Sequence, residues 1–264
     1  MRSVHRAILL LAGRGSRLGS LTEQRPKCLL DVAGISILER TLRLLSQGGV
    51  SEAILVVGYE ADQIQRVIGN RYAGLDLTYI FNEQYNETST AYSLWLAKSY
   101  LKKDCLLLEG DILFEMEVLH RVLGCSIDRS VWAAISITPG NDEGILLRRN
   151  GVGYVIAVQL VRRAEHRPLA FGYKCAGIQL LSAVMAQSLA AKLDHAINKG
   201  QTQIFADLLL GEALTETSIK LCSLEGLRWA EVDDQEDFHR AQQLFKINDI
   251  PSVVSSRESI VGKK

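Results

Sequence analysis

The sequence predicts an α/β fold, a three-layer α/β/α sandwich around a mostly parallel twisted sheet, with an elaborated carboxy-terminal half. Three observations predict it. Short runs rich in apolar residues, "AILLLA" (7–12), "EAILVVG" (52–58) and "CLLLEGDILF" (105–114), read as strands buried on both faces. Helical patterns separate them, and repeated strand–helix–strand units imply parallel pairing with helices on both faces. Gly13, Asn82 and Asp111 all fall at the carboxyl ends of strands, where open α/β sheets bind ligands.

The elements follow in order. After "AILLLA", "SILERTLRLLSQGG" spaces Ile37, Leu38, Leu42 and Leu45 on one helical face and stops at Gly48 and Gly49. The strand 52–58 leads to a short helix near 61–69, and "LDLTYIFN" is a third strand. "STAYSLWLAKSYL" opens on capping residues and continues as an amphipathic helix. "CLLLEGDILF" is read as a fourth buried strand running into an acidic turn, and "SVWAAISIT" as a fifth. The second half changes character. "ILLRRNGVGYVIAV" is a hairpin turning at Asn150-Gly151, and "FGYKCAGIQLL" is another strand. Helices near 183–198 and 203–213 precede a strand at "TSIKLCSL". "LRWAEVDDQEDFHRAQQLFK" passes from strand through an acidic turn into a helix. Residues 1–250 are expected to form one domain, and 251–264 a flexible tail without a core pattern.

Composition narrows the function. Apolar residues make up 47% and charged residues 23% of the 264, and 30 basic side chains balance 30 acidic ones. A neutral chain argues against a general nucleic-acid or membrane-surface role, yet leaves room for a local cationic pocket. No apolar run reaches the roughly 18 residues of a membrane span. The five cysteines show no CxxC spacing, so neither a zinc site nor a disulfide framework is expected, and a cytoplasmic setting fits. The basic residues before "AILLLAG" imitate an export signal. The run is too short and leads straight into a glycine loop, so that reading is set aside.

That loop, residues 13–30, carries Gly13, Gly15 and Gly19 with Arg14, Arg17, Arg25 and Lys27. Glycines let backbone N–H groups approach an anion, and the cations suit a phosphate chain. It lacks the GK[ST] ending of a Walker A loop, and Gly19 arrives one residue late for G-x-G-x-x-G. "LAGRGSRL" (11–18), "LT" (21–22) and "PKCLL" (26–30) instead resemble the nucleotidyltransferases that join a nucleoside triphosphate to a phosphorylated small molecule. The resemblance implies a Rossmann-like nucleotidyltransferase fold. It also implies nucleotide binding by Leu11, Ala12, Gly13, Gly15, Ser16, Arg17 and Lys27, with Arg17, Lys27 and Asp111 catalytic. Arg17 can fork onto β and γ oxygens, and Lys27, set by Pro26, can reach the α-phosphate or the acceptor phosphate.

A triphosphate calls for Mg²⁺, which favours carboxylate oxygens. "LLLEGDILF" and "WAEVDD" resemble the family's two acidic turns, which implies Asp111 and Asp233 as metal ligands. Asp234 is then the cap of the following helix, and a shift of one position would exchange the two. "FNEQYNETSTAYSLWLA" resembles the cytidylyltransferases acting on phosphocholine and on aminoethylphosphonate. That stretch implies Gln84 and Tyr85 near the base, and Asn86, Thr90 and Ser93 near the acceptor, with Lys174 and Glu231 completing the acceptor side. Thr90 stands where many relatives carry Asn. Helix capping explains Thr88, Ser89 and Thr90 equally well.

The implied reaction is NTP plus R-phosphate giving NDP-R and pyrophosphate, with CTP and a small phosphorylated or phosphonate acceptor preferred. A sugar-1-phosphate uridylyl, thymidylyl or guanylyl transfer stays open, as does a non-catalytic nucleotide-binding regulatory subunit. Neither a nucleic acid nor a membrane is an expected partner. A homodimer is left open.

Overall fold

The computed structural model describes residues 3–126, 129–138, 143–162 and 171–252. Its strands are β1 (Arg6–Leu11), β2 (Glu52–Val57), β3 (Arg71–Tyr72), β4 (Leu75–Phe81), β5 (Cys105–Glu109), β6 (Ile112–Phe114), β7 (Ser130–Ser136), β8 (Gly144–Arg149), β9 (Val155–Val161), β10 (Tyr173–Leu181), β11 (Ile219–Ser223) and β12 (Trp229–Glu231). The helices are α1 (Ile37–Gln47), α2 (Ala61–Ile68), α3 (Thr90–Leu96), α4 (Met116–Cys125), α5 (Ala183–Asn198), α6 (Ala206–Glu212) and α7 (Gln235–Leu244). The main sheet runs β11-β7-β10-β5-β1-β2-β4-β3, and β8 joins it through β10, with β9 beside β8.

The centre is parallel: β1 pairs with β2 and β5, and β2 with β4. These strands are buried on both sides because helices cover both. On one face Leu9, Leu42, Leu45, Leu55, Leu119 and Val122 share a core with α1 and α4. On the other, Ile8, Ile54, Leu94, Leu107, Met185 and Leu189 share one with α3 and α5. The α1 start is written locally: Ser36 caps it by accepting from the Glu39 N–H, and Glu39 reaches back to Ser36 N.

The second half departs from the parallel pattern. β10 enters antiparallel between β5 and β7, and its register breaks between Cys175 and Gln179. Gly177, with φ +68°, makes that bulge, and a Cβ there would lie 3.0 Å from Glu109 Oε2.

Three expectations need correction. "CLLLEGDILF" is not one strand. It breaks at Gly110-Asp111, and β6 leaves the main sheet to pair with β12. Gly110 is pressed against β1, where a Cβ would lie 2.6 Å from Leu11 Cδ2 and 2.7 Å from the Leu10 carbonyl, so the chain turns away. Helix α4 was not anticipated, since its apolar positions Val118, Leu119, Val122 and Leu123 follow directly on a strand that seemed to continue. The hairpin does not turn tightly at Asn150-Gly151. It loops over 150–154, with Asn150 Oδ1 accepting from Val152 N and Tyr154 N, and the positive φ falls on Gly153. Most of the expected tail, residues 253–264, lies outside the described residues. Pro251 and Ser252 are bonded to α1 through Arg43 and Gln47.

A third, smaller core ties the glycine loop to the small sheet. Leu18, Leu30, Val32, Leu113, Val232, Phe238 and Phe245 pack together, so the loop after β1, the β6–β12 pair and α7 share one anchor. This cluster brings the distant ends of the chain into one site.

Candidate active site

The site lies at the carboxyl end of β1. Beyond Leu11 the chain enters a loop held by its own hydrogen bonds. Gly15 is left-handed at φ +69°, and its carbonyl accepts from Leu18 N and from Thr22 Oγ1. Gly15 is also closely packed, since a Cβ would lie 3.1 Å from Lys27 Cβ and 3.3 Å from its Cδ. The Lys27 stem therefore runs along the glycine loop. Pro26 sets the entry and buried Cys28 and Leu29 set the exit, so the backbone at Lys27 is pinned on both sides.

Lys27 points at two carboxylates. Its Nζ lies 2.8 Å from Asp111 Oδ2 and 3.0 Å from Asp233 Oδ1. Arg17 Nη2 reaches the same Asp233 oxygen at 2.9 Å. Asp111 follows the break at Gly110. Asp233 follows β12, whose pairing with β6 is extended by the bond from Val232 N to the Asp111 carbonyl at 2.9 Å. Asp234 is the cap of α7, accepting from Asp237 N at 2.9 Å, while Asp237 reaches back to Asp234 N.

A second ion pair stands beside the first. Lys174 Nζ on β10 lies 2.7 Å from Glu231 Oε2 on β12. Between the pairs and the sheet, the bulge in β10 exposes a largely buried polar floor. Cys175 Sγ accepts from Trp132 Nε1 at 3.1 Å and Gly177 N at 3.2 Å, and Asp207 Oδ1 accepts from Gln179 Nε2 at 3.0 Å. Thr90 Oγ1 accepts from Ala206 N at 2.9 Å, which fixes the start of α6 and with it Asp207.

One cavity of about 610 Å³ joins the glycine loop to the two ion pairs, with Cys175 on its lining. Leu11, Gly13, Gly15, Ser16, Arg17 and Lys27 line one side, Thr90, Lys174 and Glu231 another, and Asp111 and Asp233 lie between. The structure thus brings eleven of the sequence-predicted residues to one wall system. It places five elsewhere. Ala12 is buried, with its carbonyl accepting from Tyr59 N. Tyr85 packs on Gly58, where a Cβ would lie 2.7 Å from Tyr85 Cβ, and its ring faces that of Tyr59. The Gln84 N–H donates to Asn82 Oδ1. Ser93 is buried and its hydroxyl accepts from Asn82 Nδ2 at 3.0 Å, so it organises the loop rather than the cavity. Asn86 is exposed and outside the lining. Sequence reasoning passed over Glu109, Cys175, Phe205 and Asp207. The acids carried a signal, a carboxylate at the end of "CLLLE" and another inside "IFADLLL", where apolar context makes a charge costly.

The electrostatics divide the cavity. Burial alone would lower the Lys27 pKa, but Asp111 and Asp233 outweigh it and raise it, so the ammonium stays charged. Burial works to raise Asp233, and Lys27 with Arg17 nevertheless holds it below the ordinary carboxylate value. Glu109 goes the other way. Burial, then Asp207, Asp111 and Glu231, push it well above the usual range. Burial lifts Asp207 to about 6. Glu231 is also raised, by burial first and by Asp111 and Asp233, against the opposing pull of Lys174.

The donor set suits a hard divalent cation. Asp111 and Asp233 already converge on one positive centre, Lys27 Nζ. Asp111 Oδ1 is buried without a hydrogen-bond partner among the described residues. Glu109, Asp111 and Glu231 also offer one oxygen each within 4.8 Å of one another. All are oxygen ligands, the kind magnesium takes.

The MobA-like NTP transferase domain matches residues 7–208. Among curated proteins, a CMP-5'-(3-aminopropyl)phosphonate synthase of Streptomyces rubellomurinus is 32% identical over 91% of this chain, which spans 38% of that relative's length. A choline-phosphate cytidylyltransferase of Streptococcus pneumoniae is 24% identical over 91% of this chain and 98% of its own. Two solved structures share the fold. The CTP:phosphocholine cytidylyltransferase of Streptococcus pneumoniae superposes with TM-score 0.75 at 22% identity, over 92% of this chain and all of that one. A putative glucose-1-phosphate thymidylyltransferase of Bacillus anthracis does so with TM-score 0.77 at 16% identity, over 94% and 96%. No helix among the described residues is long and apolar enough to cross a membrane.

Proposed function

The chain belongs to the family of MobA-like NTP transferase domains, and from that premise we propose that it is a CTP-dependent cytidylyltransferase acting on a small phosphorylated or phosphonate acceptor that carries an amine. An acceptor oxygen attacks the α-phosphorus of CTP, the bond from that phosphorus to the bridging oxygen breaks, and pyrophosphate leaves. The acceptor oxygen is already ionised, so no side chain need remove a proton. What remains is positioning and neutralising charge.

The observation that carries the reading is the convergence of Arg17, Lys27, Asp111 and Asp233 beside the glycine loop in one cavity. Backbone N–H groups of residues 13–17 face the triphosphate. Arg17 takes its outer oxygens and Lys27 the charge near the α-phosphate. Asp111 and Asp233 would hold Mg²⁺, with Glu109 and Glu231 beside Asp111. Bound there, it would neutralise charge on the triphosphate oxygens.

Two features support the acceptor. Lys174 offers a cation for its phosphate or phosphonate. Glu109 and Glu231 put carboxyl oxygens on the far wall, which can accept hydrogen bonds from an amine head group. Relatives bearing cytidylyl names support CTP.

Pyrophosphate release, measured with each of four nucleotides against phosphocholine, aminoethylphosphonate and glucose 1-phosphate, tests the reading. At least tenfold preference for CTP over ATP or GTP in rate per concentration is expected, about 1.4 kcal/mol. Efficient use of UTP or dTTP with the sugar phosphate, and none of CTP, overturns it.

A further inference from the structure

We infer that Lys27 is the resident cation of the divalent-metal position while the protein is empty, so that metal and triphosphate enter as a pair. The inference rests on the reading of this site as a nucleotidyl-transfer centre and adds an order of events to it.

The geometry is that of a latch. The two carboxylates that suit a metal are already bridged by one ammonium, at 2.8 Å and 3.0 Å. Arg17 closes the same Asp233 oxygen at 2.9 Å. The Lys27 side chain is only 14% exposed, so this is an interior contact rather than a passing surface pair. A metal ion cannot take the facing oxygens of Asp111 and Asp233 while the ammonium sits between them.

The ammonium has somewhere to go. Its stem lies against Gly15, where a side chain would touch Lys27 Cβ at 3.1 Å. Rotation of the outer methylenes moves Nζ off the carboxylates toward the glycine loop without moving the backbone. That is where a triphosphate supplies new anionic partners for Lys27 and Arg17. The metal meanwhile gives Asp111 and Asp233 a new cation. Made together, the two exchanges leave every charge paired. Made singly, either one strands a charge inside the cavity, which is costly. Each ligand therefore favours the other, and the coupling is reciprocal.

Manganese alone, titrated into nucleotide-free protein and followed by the paramagnetic signal of the free ion, tests this. Wild type should bind weakly and Lys27→Met at least tenfold more tightly. Arg14→Met removes one positive charge from the same loop, where Arg14 lies over the Tyr59 ring rather than on Asp111, Asp233 or Glu231. It should change the affinity less than threefold. Equal affinities in wild type and Lys27→Met overturn the inference. So does an Arg14→Met protein that tightens as much, because charge alone would then account for the effect. Lys27→Gln serves if the Met variant does not give the wild-type near-ultraviolet dichroism. In a second arm, CTP is titrated in excess chelator. Asp233→Asn frees Arg17 and leaves Lys27 with Asp111 as its one carboxylate partner of the two; it should tighten metal-free CTP at least fivefold over wild type, and unchanged or weaker binding overturns the latch. Absence of pyrophosphate release with every nucleotide would sink the activity reading and leave the manganese comparison standing. Unchanged manganese affinity sinks the latch alone.

Discussion

The two sides of the cavity are built by opposite means. The side along β1 is local: one loop of some twenty residues supplies its glycines and both cations, and parallel strands fix its floor. The far side is assembled from the end of β5, from antiparallel β8, β9 and β10, and from β12 off the main sheet. The first side suits a ligand common to many enzymes, a phosphate chain, and a short string of residues suffices. The second suits a particular acceptor, and its groups can change one strand at a time without disturbing the loop. The contrast locates general chemistry in the loop and selectivity in the assembled wall.

The largest expected effect breaks the local side. Lys27→Ala should lower turnover by roughly 100-fold or more, the scale for losing one charge-stabilising group, in a protein that still melts cooperatively. Full activity would remove the loop from the mechanism. The join between the sides comes next. Gly110→Ala places a methyl 2.6 Å from Leu11 Cδ2 and 2.7 Å from the Leu10 carbonyl. It should destabilise by about 1–3 kcal/mol in denaturant unfolding, as overpacking does. A neutral result would show that the break after β5 is soft.

Smaller effects sharpen the assembled side. Asp234→Ala removes the α7 cap and should cost about 1 kcal/mol of stability with an ordinary metal response. Asp233→Asn should show the reverse, near-normal stability and a higher Mg²⁺ requirement for half-maximal rate. If the two phenotypes exchange, the acidic turn has been read one position out. The smallest effect is a slope. Burial lifts Asp207 to about 6 in the folded protein. The unfolded chain has the ordinary, lower value and so binds fewer protons between the two. Stability contributed by this group is greatest at low pH and falls as pH rises through that window, complete in its loss above about 6. Thermal melts of empty protein from pH 4 to 7.5 should show a shallower fall in Asp207→Asn than in wild type. An unchanged slope would assign it to other groups.

Legibility followed the same division. The parallel strands and their helices announce themselves through uninterrupted apolar runs and through caps such as Ser36 with Glu39. The loop's glycines and cations are contiguous, so Gly15, Arg17 and Lys27 could be singled out together. Asp234 was read as the cap of the following helix and the structure has that cap, with Asp237 three residues on, while the sequence alone left the metal role of Asp233 exchangeable with it. What escaped depends on contacts no local pattern records. Helix α4 was hidden because the turn at Gly110 is forced by Leu11, a neighbour in space. Ser93 looked like an acceptor group, and its hydroxyl serves Asn82 instead. Glu109 and Asp207 became visible only when the bulge at Gly177 brought β10 around them.

The small β6–β12 pair has a consequence for how the molecule comes into being. Lys27 is synthesised 206 residues before Asp233. During elongation the loop after β1 exists without Val232, Phe238 and Phe245, the residues that later seat Leu18 and Leu30. The central parallel strands can pair meanwhile, since β1, β2, β4 and β5 all precede residue 110. The binding cleft cannot, because its last carboxylate arrives with the final strand. Nascent protein therefore has no finished cleft to close on a nucleotide, and a chain cut short before Trp229 would have a sound sheet and no working centre. The site is finished only once Asp233 and the α7 anchor behind it have been made.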